Sequence, residues 1–272
     1  MYLSGDNFIK ICNVFILDEK YFNNLKKLGN IKVEVDNMFN HEKNVFFIKT
    51  DKIENFTSYI LPYLKNNFII VTHNSDHKSG ENKVILENPL LIKWFGQNMN
   101  TKNKKTYGIP IGLENLNWKR TDFKVISENY NNPKNNLLYL NFSTNTNKDR
   151  IKIMKSLLDK GFTKNKILPW NKYINDMSTY KFAISPEGNG IDCHRTWECL
   201  YLGVIPIVKK SVALSFFSDL PILYVDNYDI ITEEYLNDIY RKDFQNKKFN
   251  YRKLNTEYYK NKINKLLSEC KE

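Results

Sequence analysis

Residues 185–208, SPEGNGIDCHRTWECLYLGVIPIV, combine residue types that suit the binding of a phosphorylated ligand. The preceding apolar run YKFAI predicts a buried strand, and ligands of α/β sheets bind at the carboxyl ends of such strands. Gly188 and Gly190 permit positive φ and a close approach of the backbone to a ligand. A helix is predicted next, and its free N–H groups and positive dipole end attract anions. Arg195 and Glu198 are three residues apart and therefore share one face of that helix.

Four side chains of this segment have a chemical role in that hypothesis. The Arg195 guanidinium can bind two oxygens of a diphosphate at once, and the Glu198 carboxylate can accept hydrogen bonds from a ribose diol. Asp192 is placed to cap the helix, and His194 is placed to donate to a phosphate. An exposed Arg–Glu pair, on a helix that follows an ordinary strand and turn, explains the same spacing equally well.

A second polar group follows the predicted strand NLLYL. In the segment NFSTNTNKDR, Ser143 and Thr144 can donate to phosphate oxygens, and Arg150 can reach the same phosphates. The alternative is a polar loop that caps the next helix and leaves the arginine in solvent.

A third group, VTHNSDH, follows a predicted strand in the first half of the chain. Transfer to a hydroxyl needs a base, and His73, Asp76 and His77 are the candidates, since histidine titrates near neutral pH. The alternative is a hydrogen-bonded turn flanked by structural histidines. A metal site is not predicted, because His73 and His77 have no evident third ligand.

Three polar residues of the first half of the chain can bind hydroxyl groups, and the family resemblance given below places them on the acceptor side. Asn74 lies beside His73, Gln97 belongs to the segment WFGQN, and Glu114 follows IPIGL. Amides and carboxylates hydrogen-bond to hydroxyl groups, so the sequence predicts that these side chains line a cleft.

Strands and helices alternate along the chain in two blocks, which predicts parallel βαβ units and an α/β fold. We expect two Rossmann-like domains, residues 1–125 and 126–255, the second of them doubly wound, with a cleft between them. Residues 115–136 have little periodicity and form a candidate linker. Residues 88–98 suggest a helix, and residues 256–272 are expected to form a helix that packs back on the first domain.

The composition narrows the class of protein further. The chain has 272 residues and a net charge of +11, which favours acidic partners such as nucleic acid, anionic lipid or phosphorylated small molecules. Its lysines are scattered, however, as on an ordinary solvated surface. The four cysteines form no C-x-x-C pair, so neither a disulfide framework nor a zinc site is expected. With no signal segment or membrane span in the sequence, we expect a soluble, cytoplasmic protein.

The segment SPEGNGIDCHRTWECLYLGVIPIV resembles the donor-binding signature of exostosin-like glycosyltransferases and, more loosely, that of α1,3-fucosyltransferases. The segments HNSDH, WFGQN and IPIGLEN are similar to parts of microbial and large-virus relatives, so the resemblance covers residues 68–208. It implies a GT-B architecture, in which the C-terminal domain holds a nucleotide-sugar, and an inverting transfer without a metal. The sequence has no D-x-D motif, in agreement with that implication.

The resemblance also implies roles for particular residues. Arg195 would bind the diphosphate and Glu198 the ribose hydroxyls, while Gly188, Asn189 and Gly190 would bring the backbone to the donor. Glu187 departs from versions of the motif that have only small residues here. It would either contact sugar hydroxyls or cap the loop.

The function expected from the sequence is transfer of a sugar from a UDP- or GDP-sugar to a hydroxyl of a glycan or glycoprotein, with no cofactor. Two alternatives stay open. The protein would either bind a nucleotide or sugar without catalysis, or use its positive charge to bind nucleic acid or another anion. Against the last, the chain contains no recognised nucleic-acid-binding motif.

Overall fold

The computed structural model describes residues 1–16, 19–27, 30–40, 43–118 and 121–270. They fold into two compact units, Met1–Ile111 together with Asn255–Glu272, and Gly112–Leu254. Each unit contains one parallel β-sheet, of five strands in the first and four in the second. The predicted α/β class with two parallel-stranded domains is therefore confirmed.

The first unit is built around strands that are apolar along their whole length. Its elements are α1 (Gly5–Ile9), β1 (Val14–Ile16), α2 (Glu19–Lys27), α3 (Ile31–Phe39), β2 (Asn44–Lys49), α4 (Ile53–Tyr59), β3 (Phe68–His73), α5 (Lys83–Glu87), β4 (Leu91–Gly96) and β5 (Thr106–Gly108). The strands pair in chain order, all parallel. In β2 and β3 nearly every residue is buried, as expected for strands covered on both faces of a parallel sheet.

The helix predicted over residues 88–98 is wrong, because Leu91–Gly96 form strand β4. This strand pairs with β3 on one side and β5 on the other. Trp94 donates from its indole Nε1 to Thr72 Oγ1 at 2.9 Å and is buried. Pairing on both sides selects the strand, since a short apolar run has no periodicity that separates a buried strand from a helix.

The second unit follows the same plan. Its elements are α6 (Phe123–Asn129), β6 (Asn136–Tyr139), α7 (Asp149–Asp159), α8 (Trp170–Met177), β7 (Tyr180–Ile184), α9 (His194–Tyr201), β8 (Ile205–Lys209), β9 (Leu223–Val225) and α10 (Glu233–Ile239). Helix α11 (Thr256–Glu269) ends the chain in the first unit. Short 3₁₀ segments span Thr50–Lys52, Leu61–Tyr63, Leu116–Trp118, Leu214–Phe217, Tyr228–Ile230 and Tyr251–Leu254, and a π-helical segment spans Tyr240–Phe244.

Helices cover both faces of the second sheet. Leu138 belongs to a buried cluster with Met154 of α7 and Leu236 of α10. The next residue, Tyr139, points to the opposite face, where its ring lies 5.8 Å from that of Tyr173 in α8. The strand order is nevertheless β6-β7-β8-β9. The sheet therefore lacks the reversal of order that defines a doubly wound sheet, and this part of the prediction is wrong.

The boundary between the units lies earlier than the predicted one at residues 125 and 126. The second unit begins at Gly112, whose carbonyl oxygen accepts a hydrogen bond from His194 Nδ1 at 2.7 Å. The candidate linker also contains α6, which is capped by the Asp122 side chain and buries Ile126. The many asparagines made this segment look like a linker, but part of it forms a helix and belongs to a folded unit.

The helices of the described residues are short. The C-terminal helix α11 has 14 residues, whereas a bilayer core requires about 20. Among the described residues, no helix has both the length and the apolar character needed to cross a membrane.

Lys134 ties together the ends of two helices of the second unit. Its Nζ donates to Ser178 O (2.6 Å), at the end of α8, and to Leu202 O (2.8 Å), at the end of α9. Burial lowers the pKa of Lys134 to about 8, from 10.5. Between these two values the unfolded chain binds more protons than the folded chain, so this residue makes stability rise with pH in that window.

We therefore expect the free energy of unfolding of the original protein to rise between about pH 8 and 10. In the Lys134→Met variant this rise should be absent. Urea denaturation at a series of pH values measures it. Lys124→Met, on the exposed surface of α6, is the matched control and should keep the rise. Equal pH dependence in the Lys134→Met variant and the original protein would contradict this account.

Candidate functional site

The loops that follow the strands of the second sheet all lie at one edge, because the four strands are parallel. This carboxyl edge is where ligands of α/β sheets bind. The loop between β7 and α9, residues 185–193, contains most of the predicted donor-binding residues. The loop after β6 contains the others.

Arg150 holds these two loops together. Its Nε donates to Glu187 O (2.8 Å), its Nη1 to Ser143 O (2.9 Å) and its Nη2 to Pro186 O (2.8 Å). The side chain is 7% exposed, and no carboxylate among the described residues forms an ion pair with it. Burial lowers the pKa of Arg150, but arginine remains protonated in proteins. Contrary to the prediction that Arg150 contacts phosphate, three of its five N–H groups donate to backbone carbonyls, and Nη2 also lies 3.7 Å from Cys193 Sγ.

Gly188 packs closely against this clamp. A Cβ at Gly188 would lie 3.1 Å from Arg150 Nη2 and 3.5 Å from Cys193 Sγ, so a larger residue would push against a buried cation. The predicted close backbone approach is found, but it is toward Arg150. The sequence permitted a positive φ at Gly188 and Gly190, but neither adopts one. Asn189, at the tip of the loop, is exposed, and Glu187 is half-buried.

Helix α9 begins without a side-chain cap. Its N-cap residue is Cys193, which makes no capping hydrogen bond. The predicted cap by Asp192 is wrong, because this carboxylate instead accepts from Trp197 Nε1, at 2.8 and 3.0 Å from its two oxygens. The backbone N–H groups of His194 and Arg195 have no hydrogen-bond partner among the described residues. They are donors available to an anion.

The Arg195 side chain is half-buried and oriented, with most of its donors unused. Its Nε donates to Tyr173 Oη at 3.3 Å, and the guanidinium lies 5.7 Å from the centre of the Tyr173 ring. Within the described part of the chain, Nη1 and Nη2 have no acceptor, which leaves up to four N–H donors. Burial alone would lower the pKa of Arg195, but the oxygens of Tyr173 and Glu198 outweigh that effect and raise it.

Glu198 is held by helix α8. Its Oε1 accepts from Trp170 Nε1 (2.9 Å) and its Oε2 from Tyr173 Oη (2.8 Å), and the residue is 6% exposed. Glu198 therefore fixes Tyr173, which in turn orients Arg195. Sequence reasoning missed Trp170 and Tyr173. Their spacing in PWNKYINDM, three residues apart on one helix face, was the available signal.

Three further predicted donor residues lie at the same edge. Because His194 Nδ1 donates to Gly112 O, Nε2 of the neutral ring is an acceptor, and only the imidazolium can donate to a phosphate. Ser143 is exposed and its carbonyl oxygen is held by Arg150, while Thr144 is half-buried. The structure thus brings these residues to one edge around the start of α9.

The predicted base His73 is wrong. It is 1% exposed, its Nδ1 accepts from the Asn74 backbone amide at 2.8 Å, and its Nε2 lies 3.0 Å from Pro110 O. Both ring nitrogens are thus used inside the first unit, where no substrate hydroxyl reaches them. Asp76 and His77 are exposed and stay candidates.

Gln97 is also structural. It is 1% exposed, its Oε1 accepts from the Asn74 amide (3.1 Å), and its Nε2 donates to Ser75 O (3.0 Å). These bonds hold Asn74 in a left-handed conformation with φ of 57°. The predicted contact of Gln97 with an acceptor is therefore wrong, because both polar atoms of its side-chain amide form hydrogen bonds to the loop after β3.

Glu114 belongs to the second unit rather than the first. The residue is half-buried, and its Oε2 is buried without a hydrogen-bond partner among the described residues. No group of three or more His, Cys, Asp or Glu side chains in the described residues is arranged to hold a metal ion.

Comparisons of the sequence with models of known protein families and with curated proteins find no match. The interpretation of the site therefore depends on its geometry and on the motif in residues 185–208.

Replacing Tyr173 tests the chain of contacts from Glu198 to Arg195. Tyr173→Phe removes the donor to a buried carboxylate, so we expect the free energy of unfolding to fall by about 1.5–3 kcal/mol. Tyr224→Phe, which removes a hydroxyl that donates to Leu214 O, is the control with an expected loss of about 1 kcal/mol. Chemical denaturation compares them, and a loss in Tyr173→Phe no greater than that in Tyr224→Phe would contradict the arrangement.

Proposed function

We propose that the second unit binds the diphosphate of a UDP- or GDP-sugar and that the protein is a glycosyltransferase. The observation that carries the proposal is the position of Arg195. Its terminal nitrogens are unused, and it lies in the uncapped first turn of α9. The first-turn N–H groups of His194 and Arg195 and the Nη1 and Nη2 atoms of Arg195 have no acceptor among the described residues, and phosphate oxygens satisfy both kinds of donor.

The charge near this turn supports an anionic ligand. Arg150 lies beneath the loop as a buried cation without a described carboxylate partner, and Arg195 is a second cation nearby, close enough to lower the pKa of Arg150 further. Two cations that approach each other cost free energy unless an anion compensates them. A bound diphosphate would supply that compensation.

Sugar transfer, rather than nucleotide binding alone, is supported by the resemblance of residues 185–208 to the donor-binding signature of exostosin-like glycosyltransferases. In an inverting transfer, an acceptor hydroxyl oxygen bonds to the anomeric carbon while the bond from that carbon to the diphosphate oxygen breaks. The diphosphate leaves with the electron pair, and a base takes the hydroxyl proton. Fixed donors at the leaving diphosphate stabilise its growing charge.

The remaining roles follow from the geometry of each residue. Arg195 would bind the diphosphate with the amides of α9, and Glu198, whose two oxygens accept from Trp170 and Tyr173, would act by fixing Tyr173 and through it Arg195. The contact of Glu198 with ribose hydroxyls stays a prediction of the sequence. Asp76 and His77 are the remaining candidates for the base. The acceptor would be a hydroxyl of a glycan or glycoprotein.

A cytoplasmic location is part of the proposal. The four cysteines are free, and Cys12 and Cys199 are buried, as is common in proteins of reducing compartments.

Arg195→Ala should weaken the binding of UDP or GDP by about 100-fold, because it removes charge-assisted hydrogen bonds of about 1.5–3 kcal/mol each. Arg195→Lys should lose most of this affinity as well, since an ammonium cannot make the bidentate contact. Isothermal titration calorimetry measures both, and Arg241→Ala, at an exposed arginine, should bind like the original protein.

Two results would refute the proposal. The first concerns binding: either the Arg195→Ala variant binds UDP or GDP as tightly as the original protein, or the original protein binds neither nucleotide but binds DNA with a steep dependence on salt. The second concerns catalysis: if no UDP or GDP is released from any of a panel of sugar nucleotides, even slowly, the protein is a binding protein and not a transferase.

A further inference from the structure

A second pocket opens at the carboxyl edge of the same sheet, beside α7. Its volume is about 190 Å³. We name it the Tyr228 pocket, and its walls come from the start of α7, the loop after β7 and the ends of β8 and β9. The lining residues are Asn147, Asp149, Arg150, Lys152, Ile153, Glu187, Lys209, Asn227, Tyr228 and Asp229. Arg195 and Glu198 do not line it.

Tyr228 brings an unsatisfied polar group to this pocket. The residue is 5% exposed, and its hydroxyl is buried without a hydrogen-bond partner among the described residues. Burial raises the pKa of Tyr228, against the smaller effect of the nearby Lys209 backbone amide, so the hydroxyl keeps its proton. Buried polar groups in folded proteins nearly always have a partner. A ligand in the pocket would provide the missing acceptor.

The charges that line the pocket balance. Arg150, Lys152 and Lys209 are cationic, and Asp149, Glu187 and Asp229 are anionic. The three charges of each sign cancel, so the lining does not select an anion such as a diphosphate. It offers ammonium, amide and phenol donors together with carboxylate and amide acceptors. Hydroxyl groups, which donate and accept, match such a mixture.

The size of the pocket suits a single ring. At about 30 Å³ for each water, 190 Å³ holds roughly six water molecules. Pockets for drug-sized ligands have volumes of about 300–1,000 Å³, so this pocket is smaller than those that hold a ligand of the size of a nucleoside diphosphate. Ile153 adds an apolar wall, which suits the C–H face of a sugar ring.

We propose that the Tyr228 pocket is a subsite for one uncharged monosaccharide ring. It adjoins the start of α9, because Glu187 and Arg150 contribute to its wall and Arg150 Nη2 lies 3.7 Å from Sγ of Cys193, the N-cap residue of α9. The identification of the ligand as a saccharide rests on the proposed function. The ring would be either the sugar of the donor or one sugar of the acceptor glycan, since both present the same hydroxyl chemistry.

Saturation-transfer NMR of the full chain with a panel of methyl glycosides tests the subsite without a nucleotide. At least one glycoside should bind, and Tyr228→Phe should weaken it by about tenfold, equivalent to about 1.4 kcal/mol. Tyr224→Phe, outside the pocket, is the matched control and should bind normally. The melting temperature of Tyr228→Phe should not fall, because its hydroxyl has no described partner to lose. Lys209→Met should weaken the same glycoside.

The proposal is overturned if no glycoside binds, if Tyr228→Phe and Lys209→Met bind as the original protein does, or if UDP or GDP alone displaces the glycoside. Displacement by a sugar nucleotide but not by its nucleotide assigns the subsite to the donor sugar, and simultaneous binding of both assigns it to the acceptor. A failure of the proposed function can be distinguished from a failure of this subsite, because it would appear as nucleotide binding that does not depend on Arg195.

Discussion

The candidate site depends on one buried guanidinium. Arg150 donates to the carbonyl oxygens of Ser143, Pro186 and Glu187 and so fixes the loops after β6 and β7 relative to each other. Its charge has no carboxylate partner among the described residues, so carbonyl dipoles, together with contacts to Cys193 Sγ (3.7 Å) and the Phe142 ring (5.8 Å), offset the cost of burying it. A side chain at position 188 would press on the same guanidinium, since its Cβ would lie 3.1 Å from Arg150 Nη2. The start of α9 and the Tyr228 pocket thus both depend on a loop whose backbone is held in place.

The second constraint is the orientation of Arg195. A long, flexible side chain loses conformational entropy when it binds a ligand, and holding it beforehand reduces that cost. Tyr173 holds it through Nε and through its ring, and Glu198 holds Tyr173. The carboxylate three residues after the arginine therefore acts through another helix. An exposed Arg–Glu pair, the alternative explanation of the spacing, does not fit a glutamate that is 6% exposed.

Local sequence predicted the elements better than it predicted their contacts. Continuous apolar runs predicted strands such as β2, β3 and β7, because parallel strands are buried on both faces, but the short run in β4 looked helical until its neighbours were known. The glycines and the Arg195–Glu198 spacing indicated a helix start at a strand end. They could not show that Arg150 bonds to carbonyls 36 and 37 residues away, or that Glu198 bonds to side chains 25 and 28 residues away. Such partners are set by tertiary packing, which also buries His73 and Gln97.

The central claim is that the start of α9 and Arg195 bind a diphosphate. The most direct measurement is a crystal structure of the protein soaked with UDP or GDP. The account predicts phosphate density within hydrogen-bond distance of the His194 and Arg195 backbone amides and of Arg195 Nη1 or Nη2, with Arg150 still bonded to the loop carbonyls. A nucleotide bound elsewhere, or Arg195 turned away to pair with a carboxylate while the nucleotide is bound, would contradict it.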